Sequence, residues 1–276
     1  MQKKKAAGYL GLAGIIFFAA IFFFPVYIVI INSFKSSYME VFSTPLALPG
    51  RFSFRNYIDT WKTVNYPVHF LNSLQVTGLT LVIVLFTGSL AAYKLARTKT
   101  RLSGGLLILF VSSMLIPSQV IIIPLAKVAK DLSLTNHLHG VALVQAALSL
   151  SMAVFLYHGF MKGIPLAMEE SARIDGANEF RIYFSIVLPL LQPITATVAI
   201  LNVISSWNAF LLPMILLGRK QLWTLPILAY SFISEQSTQW EKQLAAVVLV
   251  ASPIVIFYLF MQKYIIKGIA DGAVKG

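Results

Sequence analysis

The sequence predicts an all-α membrane protein with six transmembrane helices, on three observations. Of 276 residues, 58% are apolar and only 12% charged, against about 45–50% and about 25% in soluble domains. Six apolar stretches are each long enough to cross a bilayer core, which takes about 20 helical residues. The basic residues favour alternate connecting segments. Disorder is excluded, because disordered chains are poor in aliphatics and rich in charge. The absence of cysteine excludes disulfide scaffolds, thiolate metal sites and Cys nucleophiles.

Span one covers about residues 9–31 and carries no charge. Lys3, Lys4 and Lys5 ahead of it resemble a signal-peptide start. The apolar run, however, is longer than a signal core and no small-residue cleavage pattern follows, so an uncleaved helix is expected. Spans two to six are expected at about 70–93, 104–124, 140–159, 186–207 and 244–261. The apolar piece Leu211–Leu217 is too short to cross and contains Pro213, so it reads as re-entrant or interfacial. Pro25, Pro117, Pro189, Pro193 and Pro253 fall within spans, where each removes a backbone hydrogen bond and can kink a helix.

Charge sets the orientation. With the amino terminus in the cytoplasm, the inside segments 1–9, 94–103, 160–185 and 263–276 hold 13 of the 22 Lys and Arg, and the longer outside segments 32–69, 124–139 and 209–242 hold 9. The positive-inside rule supports this topology, with both termini cytoplasmic. Trp61, Trp207, Trp223 and Trp240 all fall at outer span ends or in outer loops, as expected of interfacial anchors. The net charge of +12 is therefore a topology signal. A nucleic-acid role is excluded, because the basic residues are split among four short segments instead of forming one patch.

No span carries an interior Asp, Glu, Lys or Arg, and the four histidines sit at span ends or in loops. Proton relays and voltage sensors need intramembrane ionisable groups. No P-loop, H-E-x-x-H or G-x-S-x-G motif is present. Spans two to five do carry uncharged polar groups. Taken singly, each is explained by interhelical hydrogen bonding. As a set they suit a pathway for a neutral, hydroxyl-rich solute, with Asn72, Gln119, Gln145, Asn202 and Asn208 as its candidate residues.

The segment between spans four and five is the most charged of the chain, holding Glu169, Glu170, Asp175 and Glu179 of only ten carboxylates. Pro165 suits a helix start, Glu169 and Arg173 form an i,i+4 pair, and Gly176 can end the helix in the left-handed region. A short amphipathic helix is expected over Pro165–Asp175, with a second starting near Asn178. Apolar Leu166, Ile174 and Phe180 in this cytoplasmic segment fit either a helix resting on the bilayer or one that docks a partner.

Glu170-Ser171-Ala172, then Gly176, then Ile186-Val187-Leu188-Pro189 resembles the Glu-Ala-Ala signature of ABC importer permeases in its full spacing, with Ser171 the one departure. Asn72-Ser73, Gly88–Tyr93, Ile174–Ala177, Trp207-Asn208-Ala209-Phe210 and the tail Gly268–Gly276 resemble the carbohydrate permeases of the maltose-transporter MalG type. The resemblance covers nearly the whole chain in the expected order.

That resemblance implies a type I ABC importer permease fold acting as one transmembrane domain, in a bacterial or archaeal cytoplasmic membrane. It implies a second, similar permease, an ABC ATPase dimer and an extracytoplasmic solute-binding protein as partners, and a sugar as cargo. The chain is then not itself an enzyme and binds no cofactor; ATP and Mg belong to the ATPase. Glu170, Ser171, Ala172, Asp175, Gly176 and Ala177 would form the cytoplasmic coupling helix and its turn. Pro213, Gly218 and Trp223 would lie in the loop meeting the binding protein, and Ala273–Gly276 would reach between the ATPase subunits. Other readings are a sugar-phosphate cargo, a carrier or channel acting alone, and a membrane scaffold.

Overall fold

The computed structural model describes residues 2–235 and 239–273, with side chains over 11–231 and 239–262. The described residues form helices and turns, without strands. In chain order the helices are α1 (Gln2–Ser33), α2 (Tyr38–Ser43), α3 (Arg55–Thr63), α4 (Tyr66–Arg97), α5 (Arg101–Ser113), α6 (Ser118–Asp131), α7 (Leu138–Met161), α8 (Ala167–Ile174), α9 (Glu179–Ile182), α10 (Leu188–Leu190), α11 (Gln192–Trp207), α12 (Leu211–Leu216), α13 (Leu225–Glu235) and α14 (Trp240–Ala273). A π-helical turn, Tyr183–Val187, joins α9 to α10. Residues 274–276 of the tail lie outside the described residues, as do the side chains of Lys3, Lys4 and Lys5.

Four helices, α1, α4, α7 and α14, are long and apolar enough to cross a bilayer unbroken, and two bent pairs bring the number to six if each pair is one span. Span three is therefore not the single straight helix expected over 104–124: α5 and α6 meet at 109°. Pro117 is the cause, since it has no N–H to continue α5 and sits at φ −58°, ψ 127° as the residue before α6. Span five is likewise bent, by 75° between the Glu179–Leu190 segment and α11. Pro189 and Pro193 flank the bend at Leu191, and Pro193 cannot donate to the carbonyl four residues back. Pro25 and Pro253, by contrast, lie inside continuous helices.

Only 6% of the apolar stretch of α1 and 11% of that of α14 is buried within the chain, against 44% for α4 and 56% for α7. So α4 and α7 are the interior helices, while Ile15, Phe22 and Phe260 offer apolar surface to lipid.

The chain divides into two compact units. The first comprises Met1–Pro67 and Leu228–Pro253. Its polar groups knit the segment after α1. Asn56 Nδ2 donates to the carbonyls of Ser33 and Lys35, each at 2.8 Å. Glu40 accepts from the Gly50 and Ser36 N–H groups at 3.0 and 3.1 Å. The wholly buried Lys35 donates to the Thr44 carbonyl at the end of α2, where a cation is favourable. Trp61 stacks on Tyr66 at 4.2 Å and Trp240 meets Phe42 edge-on at 5.6 Å.

The second unit comprises Val68–Ile227 and Ile254–Gly276 and carries two apolar cores. One gathers Val84, Ala153, Tyr157, Ile182, Val187 and Leu191; the other Val76, Val141, Ala142 and Leu216. Gly140 allows the turn before α7 to close, because a Cβ there would lie 1.9 Å from the Leu134 carbonyl oxygen. Trp207 departs from its expected role as an interfacial anchor. It is 6% exposed because the end of α11 packs on the start of α4, where Phe70 meets the indole edge-on at 5.8 Å.

Candidate functional site

The expected amphipathic helix forms as α8, one turn shorter than Pro165–Asp175. Its end has the hydrogen bonds of a Schellman motif: the Gly176 N–H donates to the Arg173 carbonyl at 3.0 Å and the Ala177 N–H to the Ala172 carbonyl at 2.9 Å. Gly176 holds φ +83° there, which a side chain would strain. Asn178 then caps α9 by accepting from the Arg181 N–H at 2.9 Å.

Two adjacent glutamates face opposite ways. Glu169 is wholly buried. Its carboxylate accepts from Arg97 Nε at 2.7 Å and from the Tyr93 hydroxyl at 3.1 Å, and stands 2.7 Å from Arg97 Nη2 and 3.8 Å from Arg173. The same Arg97 donates to the carbonyls of Met161 and Ile164 at 3.3 Å. One guanidinium thus ties the end of α4 to the end of α7 and to α8. Arg173 extends the network to Glu179 at 2.7 Å. That hydrogen bond holds the Glu179 carboxyl below its ordinary value of 4.5, and Arg173 is raised in return.

Glu170, in contrast, is exposed, and its carboxylate makes no hydrogen bond or ion pair among the described residues. Ser171, Asp175 and Gly176 are exposed too, with Ile174 87% and Phe180 76% exposed. Ala172 and Ala177 are half-buried against the first apolar core, so their small size serves packing within the chain. The sequence displays the i,i+4 pair of Glu169 with Arg173 but gives no signal of the pairing with Arg97. The partner that buries Glu169 is 72 residues away.

The polar groups of the spans are partly reconciled by a cavity of about 600 Å³ within the second unit. Gln119 of α6, Gln145 of α7, and Asn202, Ser205 and Ser206 of α11 line it, with no charged residue. Gln145 Oε1 accepts from Ser206 Oγ at 2.6 Å, but Gln145 Nε2 and both amide atoms of the buried Asn202 lack partners. Unpaired buried amides are costly unless something else satisfies them. Two residues do not join this set. Asn72 donates to the carbonyls of Gln221 and Trp223 at 2.8 and 3.0 Å, fastening the segment after α12 to α4. Asn208 is exposed at the end of α11. Elsewhere the simpler role holds: Ser113 meets Ser151 at 2.5 Å and Tyr157 meets Thr195 at 3.1 Å across helices.

The segment between α11 and α13 is fastened by hydrogen bonds. His69 meets the Trp223 carbonyl at 2.8 Å, the Leu225 N–H donates to Ser73 at 2.8 Å, and the Gly218 N–H donates to Asn136 at 2.7 Å. Pro213 is buried in α12. Trp223 is half-buried, with Nε1 donating to the Leu217 carbonyl. The exposed tip of this loop is Gly218–Gln221. No group of three or more His, Asp or Glu able to hold a metal ion exists among the described residues.

The comparisons with known proteins agree with one another. Residues 84–271 match the family described as "Binding-protein-dependent transport system inner membrane component". The chain is 37% identical over 252 residues, 91% of each chain, to the probable starch degradation products transport system permease protein AmyC of Thermoanaerobacterium thermosulfurigenes. It is 35% identical over 256 residues, 92% of each, to the melibiose/raffinose/stachyose import permease protein MelC of Bacillus subtilis. A crystal structure of a bacterial ABC transporter for import of the acidic polysaccharide alginate superposes with a TM-score of 0.81 at 22% identity, covering 96% of this chain and 98% of that one. An all-helical, multi-pass chain with this signature and these relatives belongs to the binding-protein-dependent transport system inner membrane components, the permease subunits of ABC importers.

Proposed function

We propose that the chain acts as one permease domain of an ATP-driven importer for a neutral sugar or oligosaccharide, paired with a second permease. The observation that carries the reading is the two-faced α8. Its inner carboxylate is ion-paired into the transmembrane helices, while Glu170, Ile174 and Phe180 stand exposed beside it. An apolar helix face edged by charge is what a cleft in a partner protein recognises. The partner is an ABC ATPase dimer, which binds ATP and Mg; this chain binds neither and is not an enzyme. Closure of the dimer displaces α8, and Arg97 carries the displacement to the ends of α4 and α7. The cavity between α6, α7 and α11 then alternates between the two sides, with both chain termini in the cytoplasm.

The cargo follows from the cavity lining. Uncharged amides and hydroxyls offer donors and acceptors to a hydroxyl-rich solute, and the absence of basic lining residues disfavours a sugar phosphate. The names of the relatives, transporters of starch products and of raffinose-type sugars, support the same class. The exposed tip Gly218–Gln221, set by Pro213 and Trp223 behind it, is the contact for the solute-binding protein. In proteoliposomes containing both permeases and the ATPase, labelled oligosaccharide should accumulate only with ATP and binding protein. Accumulation by this chain alone would overturn the reading.

A further inference from the structure

A second cavity, of about 560 Å³, opens where α4 and α7 end and α5 begins, away from the one assigned to cargo. Arg97, Lys99, Lys162 and His158 line it, and no acidic residue does. Arg97 is engaged by Glu169, but the ammonium groups of Lys99 and Lys162 are exposed and make no hydrogen bond or ion pair in the described residues. The imidazole of His158 faces the cavity, is 8% exposed, and likewise has no hydrogen-bond partner. The start of α5 opens into the same space. Thr100 caps it by accepting from the Ser103 N–H at 3.2 Å, leaving the first N–H groups of the helix to point outward, an arrangement that attracts anions. Leu107 supplies an apolar wall beside the charged rim.

Two free cations, a buried unpaired imidazole and a helix start converge here on a space without counter-charge. We propose that this cavity binds a phosphate-bearing anion, and that in the membrane the anion is the headgroup of an anionic phospholipid. Both loops that form it, 94–103 and 160–185, are those the basic-residue distribution places on the cytoplasmic side. Basic pockets between transmembrane helices on that side are suited to such headgroups, and the apolar wall accommodates the start of an acyl chain. The site would tether the loop ahead of α8 to the bilayer surface. This goes beyond the transport reading, and its test needs neither ATP nor cargo, so either can fail without the other.

The test is native mass spectrometry of the protein, purified from membranes with whatever subunits accompany it, titrated with phosphatidylglycerol, with phosphatidylcholine, or with inorganic phosphate. The wild-type protein should retain phosphatidylglycerol over phosphatidylcholine. Replacing both lysines, Lys99→Ala with Lys162→Ala, should weaken that retention roughly 30-fold, and each single change roughly fivefold. Lys99→Arg with Lys162→Arg should preserve it. Binding of inorganic phosphate with the same dependence on the two lysines, and its displacement of the lipid, would support the phosphate site while assigning it to a free solute. Equal retention of phosphatidylglycerol by the wild-type and alanine proteins would overturn the proposal.

Discussion

Glu169→Gln is expected to be the most destabilising change of a single charge in the loop before α9. The carboxylate is wholly buried and receives two guanidinium nitrogens at 2.7 Å and a tyrosine hydroxyl at 3.1 Å. At an effective dielectric of about 20, two unit charges about 4 Å apart attract by about 4 kcal/mol, and losing one partner of a buried pair costs about 3–5 kcal/mol. Arg97 remains 15% exposed and keeps the Met161 and Ile164 carbonyls, which places the loss near 3 kcal/mol. For a chain of this size that is a fall in melting temperature of roughly 6–12 °C. Glu170→Gln, one residue away and exposed, should change stability by less than about 0.5 kcal/mol and yet impair ATP-driven transport. Thermal unfolding in detergent, measured beside transport by the reconstituted importer, separates the two. If Glu169→Gln melts like the wild type, or Glu170→Gln falls by as much, the division of labour between the two carboxylates is wrong.

Other outcomes follow from single contacts. Gly176→Ala should cost about 1 kcal/mol through its φ of +83° and loosen α8, read as faster proteolysis of that loop; unchanged cleavage would contradict the turn. Gly140→Ala should destabilise by more than about 2 kcal/mol, because its Cβ would overlap the Leu134 carbonyl, and a normal melting curve would contradict the packing. Asn202→Leu should leave stability unchanged or raised, since it removes two unpaired amide atoms. It should also lower sugar transport several-fold, and undiminished transport would remove Asn202 from the pathway. Because Arg173 holds the Glu179 pKa below 4.5, that contact is complete above pH 4.5 and is lost as pH falls through the depressed value. Hydrogen exchange at α9 should therefore be flat from pH 7 to about 4.5, after correction for intrinsic rates, and rise below it. The same rise in Glu179→Gln would contradict the assignment.

Much of the fold was legible, because bilayer thickness imposes a length on apolar runs and charge labels their ends. The bends were not. Five prolines looked alike in sequence, but Pro25 and Pro253 sit in unbroken helices with little packed around them, whereas Pro117, Pro189 and Pro193 coincide with sharp turns. Local spacing predicted α8, its Gly176 turn and the start of α9, since caps and i,i+4 pairs act over a few residues. Contacts distant in sequence stayed hidden. Locally only the i,i+4 spacing to Arg173 separates Glu169 from Glu170, and the approach of Arg97 is what makes one structural and leaves the other exposed. For the same reason Gln119, Gln145 and Asn202 share a cavity while Asn72, equally polar, is consumed by the segment Gln221–Trp223.

The central claim, that exposed α8 docks an ATPase, can be tested directly because the chain contains no cysteine. Ser171→Cys places one thiol on the exposed face of α8, and a short bifunctional thiol reagent can be applied to native membranes. The account predicts a cross-linked product containing the ATPase subunit, with a yield that changes when ATP is added. A thiol that reacts freely with a small maleimide but never cross-links to the ATPase, with or without ATP, would contradict it.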